Sequence, residues 1–175
     1  DPMRAIMTLA GMALLSGPAI ADSMEIGIAI PQLNVAEYHR PYLAAWIARP
    51  DQTVAANLAV LYQQERRGDD EGETWLKDLR QWWRRAGRDL SMPVDGVSGP
   101  TRGPGTHSFN IAGDAPALKA LAPGDYILTV EAVREVGGRE MVQVPFTWPA
   151  NGAAPLTVSG ETELGLITLT LTDED

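Results

Sequence analysis

The sequence predicts a mainly β protein, an antiparallel two-sheet sandwich with one short tryptophan-rich helix inserted. Several short segments alternate apolar and polar residues with period two, the mark of strands lying on a sheet. Between them stand many of the 17 glycines and 13 prolines, the residues that turns require. Only one stretch, 74–87, has convincing helical spacing, which argues against the alternating strands and helices of a parallel sheet.

The elements follow in chain order. Met3 and Arg4 precede an apolar run over 5–15, followed by Ser16, Gly17, Pro18, Ala19, Ile20 and Ala21, so residues 1–21 are expected to form a secretory signal peptide cut after Ala21. The apolar run falls short of the ~20 residues that a spanning helix needs. Asp1 and Pro2 stand before the natural-looking start and are expected to be an appended remnant. Residues 22–175 are then one sandwich domain, with 45% hydrophobic residues in the chain to supply a core.

Met24, Ile26, Ile28 and Ile30 share one face of a first strand that Pro31 ends. Residues 42–48 and 53–62 give two more, joined by Arg49, Pro50, Asp51 and Gln52, and the three are expected to form a meander. Residues 63–73 are polar and charged, as in an exposed loop. In the helix that follows, Thr74 is the expected cap, and Trp75, Leu79 and Trp82 stand at i, i+4 and i+7. Leu76, Leu79 and Trp83 add a neighbouring stripe, and Gly87 is the expected end. Arg80, Arg84, Arg85 and Arg88 fall on the solvated side.

Strands resume at 106–112. Residues 113–121 read as a linker or helical turn, and Ala122, Pro123, Gly124 and Asp125 as a tight turn. Along 126–134, Tyr126, Leu128, Val130 and Ala132 oppose Ile127, Thr129, Glu131 and Val133. Gly137 and Gly138 predict a mirror-image hairpin turn into 140–148. Segments 156–159 and 164–171 complete the set, with Thr168, Thr170 and Thr172 on an exposed side. The entry Pro123, Gly124, Asp125, Tyr126 resembles that of immunoglobulin-like and carboxypeptidase-regulatory-like domains.

Composition bounds the function. The chain has no cysteine, so disulfides, thiolate ligands and cysteine lipidation are excluded. A net charge of −9 argues against nucleic acid or an anionic membrane surface as partner, and the mature chain is not expected to insert in a membrane. Export without cysteine fits a periplasmic location.

The chemistry-bearing stretch is 95–105: Asp95, Gly96, Val97, Ser98, Gly99, Pro100, Thr101, Arg102, Gly103, Pro104, Gly105. Glycine opens the backbone to close approach while proline fixes it, so this loop is built to hold a shape. It is either a rigid turn closed by its own side chains, or the attachment or binding segment for a ligand. Arg40, Arg134 and Glu135 flank strand ends, where they either line one rim with the loop or form an ion pair or surface network, and with His39, Tyr42 and Arg102 they make a second candidate surface site. The two histidines, His39 and His107, lack metal-ligand spacing, and no metal site is assigned. The glycine pattern of a hydrolase elbow is absent around Ser98, so no catalytic residue and no independent catalytic activity are assigned.

The runs 38–47, 75–84, 95–105, 124–126 and 131–140 together resemble the domain-of-unknown-function family 2271. That resemblance implies a periplasmic protein that works beside PepSY-domain membrane proteins and flavin-transferring enzymes. Within the loop, Asp95, Ser98, Gly99 and Thr101 resemble the motif at which proteins carry covalent FMN, with Thr101 at the position esterified to the flavin phosphate. Pro100 stands where that motif has alanine. The resemblance implies an electron-carrying accessory component with FMN on Thr101. The alternative is a cofactor-free module that binds a ligand or a protein.

Overall fold

The computed structural model describes residues 22–64 and 71–173, and the expected signal peptide lies outside the described residues. Among the described residues, nine strands form two sheets. The first sheet has the order β5-β1-β9-β8, with β1 (Ser23–Ile30), β5 (Gly105–Ile111), β8 (Leu156–Ser159) and β9 (Leu166–Thr172). The second has the order β4-β3-β2-β6-β7, with β2 (Tyr42–Ala48), β3 (Val54–Tyr62), β4 (Ser98–Pro100), β6 (Gly124–Val133) and β7 (Arg139–Trp148). This is the two-sheet sandwich that the alternation predicts.

The core lies between the sheets. Met24, Ile26 and Ile28 of β1 face Leu43, Ala45 and Ile47 of β2 and Leu128, Val130 and Ala132 of β6 within one apolar cluster. The second sheet is covered on its other face too. Ala44, Trp46 and Ala48 pack with Val60 beneath Leu76, Leu79 and Trp82 of the helical segment. Burial on both faces explains why β2 reads as a continuous apolar run rather than an alternation. It also explains why Thr129 and Glu131, on the face of β6 away from the sandwich core, are buried.

Several local expectations change. The first three strands do not form a meander: β2 pairs with β3, but β1 belongs to the other sheet, and residues 31–41 carry the chain across. The helical stretch is broken into α1 (Glu71–Thr74), a 3₁₀ turn over Trp75–Asp78, α2 (Arg80–Arg85) and a 3₁₀ turn over Gly87–Asp89. Leu79, with ψ of 73°, interrupts it. The buried residues are therefore Leu76, Leu79 and Trp82, three apart, and Trp75 is left 51% exposed. Thr74 makes no side-chain cap bond. Gly87 does not end a helix but lies on the Trp82 ring, where an added Cβ would come within 2.5 Å of it.

The hairpin between β6 and β7 differs as well. Its positive φ falls on Val136, at 51°, not on Gly137 or Gly138. Those glycines serve close approach: a Cβ on Gly137 would meet the Arg134 guanidinium at 2.5 Å, and one on Gly138 would meet the Glu163 carboxylate at 2.9 Å. Near the start of β6, the Tyr126 hydroxyl donates to Ala122 O at 2.6 Å, the returning tyrosine contact found in immunoglobulin-like sandwiches.

Candidate functional site

The loop at 95–105 is not wholly irregular. Ser98–Pro100 forms β4, which pairs parallel with β3 at the sheet edge: Val60 with Ser98, Leu61 with Gly99, Tyr62 with Pro100. Proline lacks a donor and is accepted in a sheet chiefly at such an edge. Before the strand, Val94 O accepts from Val97 N at 3.1 Å, and Gly96 takes the positive φ of 73° that the turn requires. Ser98 Oγ accepts from Val94 N at 2.8 Å, closing the turn upon itself. The Ser98 hydroxyl is thus engaged in holding the loop, while Asp95 is exposed on it.

Beyond β4, residues 101–104 cross from the second sheet to the first. Gly105 begins β5 opposite Ile30, the last residue of β1. The outgoing crossover 31–41 starts at that same point. The two crossovers therefore lie side by side, and the Arg40 guanidinium packs against Gly103, 3.6 Å from where a Cβ would stand. His107 Nε2 donates to Gly103 O at 2.7 Å, the only role open to it opposite a carbonyl. The Arg102 guanidinium lies 4.5 Å from the centre of the Phe109 ring, a cation–π contact. Thr101 is thereby suspended between two anchored ends.

At this end of the sandwich the crossovers meet the β6–β7 hairpin, and the space between them is a cleft of about 810 Å³. This lies within the ~300–1,000 Å³ of sites that hold small molecules and cofactors. Six of the candidate residues from the sequence line it: His39, Arg40, Tyr42, Thr101, Arg134 and Glu135. The loop and the second candidate set are one place, and their meeting point is Thr101. Asp95, Ser98, Gly99 and Arg102 do not line it.

The charges are unequally committed. Arg134 is 7% exposed and holds Glu163 through two bonds, Nε to Oε2 at 2.9 Å and Nη2 to Oε1 at 3.2 Å. These bonds hold its guanidinium above the usual arginine range, against the opposing effect of burial. Glu163 also accepts from Gly138 N at 3.1 Å, so Arg134 builds the cleft wall rather than offering a free charge. His39 stands between two carboxylates, Nε2 at 2.9 Å from Glu37 and Nδ1 at 3.6 Å from Glu135. Arg40 makes no ion pair among the described residues and is exposed.

Of the aromatic lining, sequence reasoning picks out Tyr42 but misses Tyr38 and Trp75. Trp75, Tyr38 and Tyr42 face the cleft, with Val136 beside them, 71% exposed. Burial pushes the Tyr42 phenol up, and its hydroxyl donates to Gly72 O at 2.8 Å. Burial raises Tyr38 also, despite the lowering effect of Arg134, and its hydroxyl has no hydrogen-bond partner among the described residues. The sequence carries no signal for Trp75, which stands in the 75, 79, 82 stripe; only the three-residue spacing of the buried Leu76, Leu79 and Trp82 turns it out.

Among the described residues, no helix is long and apolar enough to cross a membrane. No match is found among curated proteins or solved structures. The model of the family described as "Predicted periplasmic protein (DUF2271)" matches residues 23–166, most of the chain and all of the cleft-forming elements, and the protein belongs to that family.

Proposed function

We propose that this protein is a periplasmic electron-carrying accessory component that holds FMN covalently on Thr101 and serves a membrane redox protein of the PepSY type. The observation that carries the reading is the position of Thr101. The acceptor position of the resembled motif is the one residue of that motif that lines the aromatic cleft. A phosphoester needs a reachable hydroxyl on a firmly held segment, and Thr101 is half-buried between β4 and β5.

The residues present suit such a group. Trp75 offers an exposed ring and, among the described residues, Arg40 is a cation without an ion pair and Tyr38 a hydroxyl without a partner. The cleft is large enough for a ring system of flavin size. Attachment would form a bond from Thr101 Oγ1 to the flavin phosphate as a flavin dinucleotide donor loses AMP, the hydroxyl proton leaving with it. When bound, the flavin supplies the redox chemistry. The protein contributes position: Pro100 stiffens the approach to Thr101, Ser98 closes the turn before it, and Arg134 with Glu163 fixes the opposite wall.

Expression together with a flavin transferase tests this. Wild type and Thr101→Ser should be yellow after denaturation and desalting, and Thr101→Ala colourless. Colour retained by Thr101→Ala would refute the assignment. A cofactor-free binding module remains the alternative, and it predicts colourless protein in all three cases.

A further inference from the structure

Trp75 is held in an unusual way for so large an apolar residue. The 3₁₀ spacing commits its neighbour Leu76 to the sheet, and Trp75 is turned out at the cleft with half of its surface exposed. Val136, forced to a positive φ that β-branched residues avoid, is also exposed there. A fold that needed only a closed sandwich end would bury or omit these groups. Beside them, Arg40 lies over Gly103, two residues from Thr101, and is unpaired among the described residues in a chain of net charge −9. The other guanidinium that lines the cleft among the described residues, Arg134, is consumed by Glu163. Asp78 and Glu135 line the same cleft and disfavour an anion near themselves, which leaves Arg40 as the cation open to a phosphate among the described residues.

We infer that the cleft is a berth for a flat aromatic ring system bearing a phosphate, with Trp75 as the stacking surface and Arg40 as the phosphate's counter-ion. This deepens the flavin reading and rests on it for the identity of the ring. The berth itself is a property of the folded chain and should be detectable without covalent attachment. A ring stacked on tryptophan gains the offset-stacking contribution that aromatic pairs share, and a desolvated guanidinium–phosphate contact is among the stronger hydrogen bonds.

The test uses the full Thr101→Ala chain, which cannot be loaded, titrated with free FMN and with riboflavin while flavin and tryptophan fluorescence are followed. FMN should bind with quenching of both emissions, about tenfold more tightly than riboflavin, the size of one charge-assisted bond. Arg40→Gln should erase the difference between the two ligands, and Trp75→Leu should weaken both by about tenfold and restore flavin emission. Both side chains are exposed, so neither variant threatens the fold. Equal binding of the two ligands, or no quenching by either, would overturn the berth.

Intact mass of the co-expressed wild type separates this from the attachment reading. An unmodified mass with FMN-selective quenching removes Thr101 as an acceptor and leaves the berth standing. A loaded protein whose flavin is as bright as free FMN, and indifferent to Trp75→Leu, removes the berth and leaves the attachment.

Discussion

Arg134 shows how a single residue can look like a binding group and serve as a girder. From the sequence it was a candidate surface cation beside Glu135, with an ion pair as the alternative. The structure gives it to Glu163, a residue 29 positions away, with Gly137 and Gly138 left bare so that both side chains can pack. Removing one member of a buried pair strands the other, a loss of about 3–5 kcal/mol. Glu163→Ala should therefore lower the urea midpoint strongly, and Gly137→Ala should also destabilise by driving the guanidinium aside. A change below about 1 kcal/mol for Glu163→Ala would mean the pair is dispensable. Nothing local in the sequence announces Glu163, because the contact joins a hairpin of one sheet to a loop of the other. Thr101 is the opposite case. Motif and geometry single it out independently, since the motif concerns chain neighbours and the cleft concerns residues distant in sequence.

The helical segment depends on the sheet more than on itself. α2 has six residues, and its first turn has no side-chain cap of its own. Glu131, fully buried on β6, supplies one: its Oε2 accepts from Gln81 N at 3.1 Å and from Arg139 Nη1 at 3.2 Å, and its Oε1 from Trp82 N at 2.9 Å. Free N–H groups at a helix start welcome a negative charge. Glu131→Gln keeps the shape but removes the charge, and should cost about 2 kcal/mol, with a shift in Trp82 emission as the segment loosens. Trp82→Ala should cost about 3–5 kcal/mol. The strands were largely legible, since period two survives wherever one face meets the core. The helix was legible in place but not in form. Its 3.6-residue reading put Trp75 inside, whereas packing on a flat sheet selected the three-residue spacing and turned Trp75 towards the cleft. Glu131 was visible only as a polar residue in an alternating strand, where solvent exposure is the ordinary expectation.

The whole molecule is two sheets joined by crossovers and tied at one end by acidic side chains that accept backbone N–H groups. Glu140 of β7 accepts from Glu161 N at 2.7 Å, Leu164 N at 2.9 Å and Thr162 N at 3.1 Å in the loop before β9. Partial burial pushes its carboxyl up, but the combined backbone bonds outweigh that and hold it below its ordinary value of 4.5. A carboxyl lower in the folded than in the unfolded chain contributes stability in full above the unfolded value. That contribution is lost as pH falls through the folded one. Stability should thus decline below about pH 4.5 and Glu140→Gln should flatten that decline; an unchanged pH profile in the variant would contradict it. The sandwich class was readable from strands and turns. The strand order was not, because pairing β1 with β5 and β9, and seating β4 parallel to β3, depends on contacts across long stretches of chain. That order is what brings 31–41, 101–104 and 134–138 together, and so it is what makes the cleft. The most direct test of the whole account is the intact mass of the protein expressed from its full sequence beside a flavin transferase. The account predicts a gain of one FMN less water, absent in Thr101→Ala; an unmodified wild-type mass under conditions that load another flavin acceptor would contradict it.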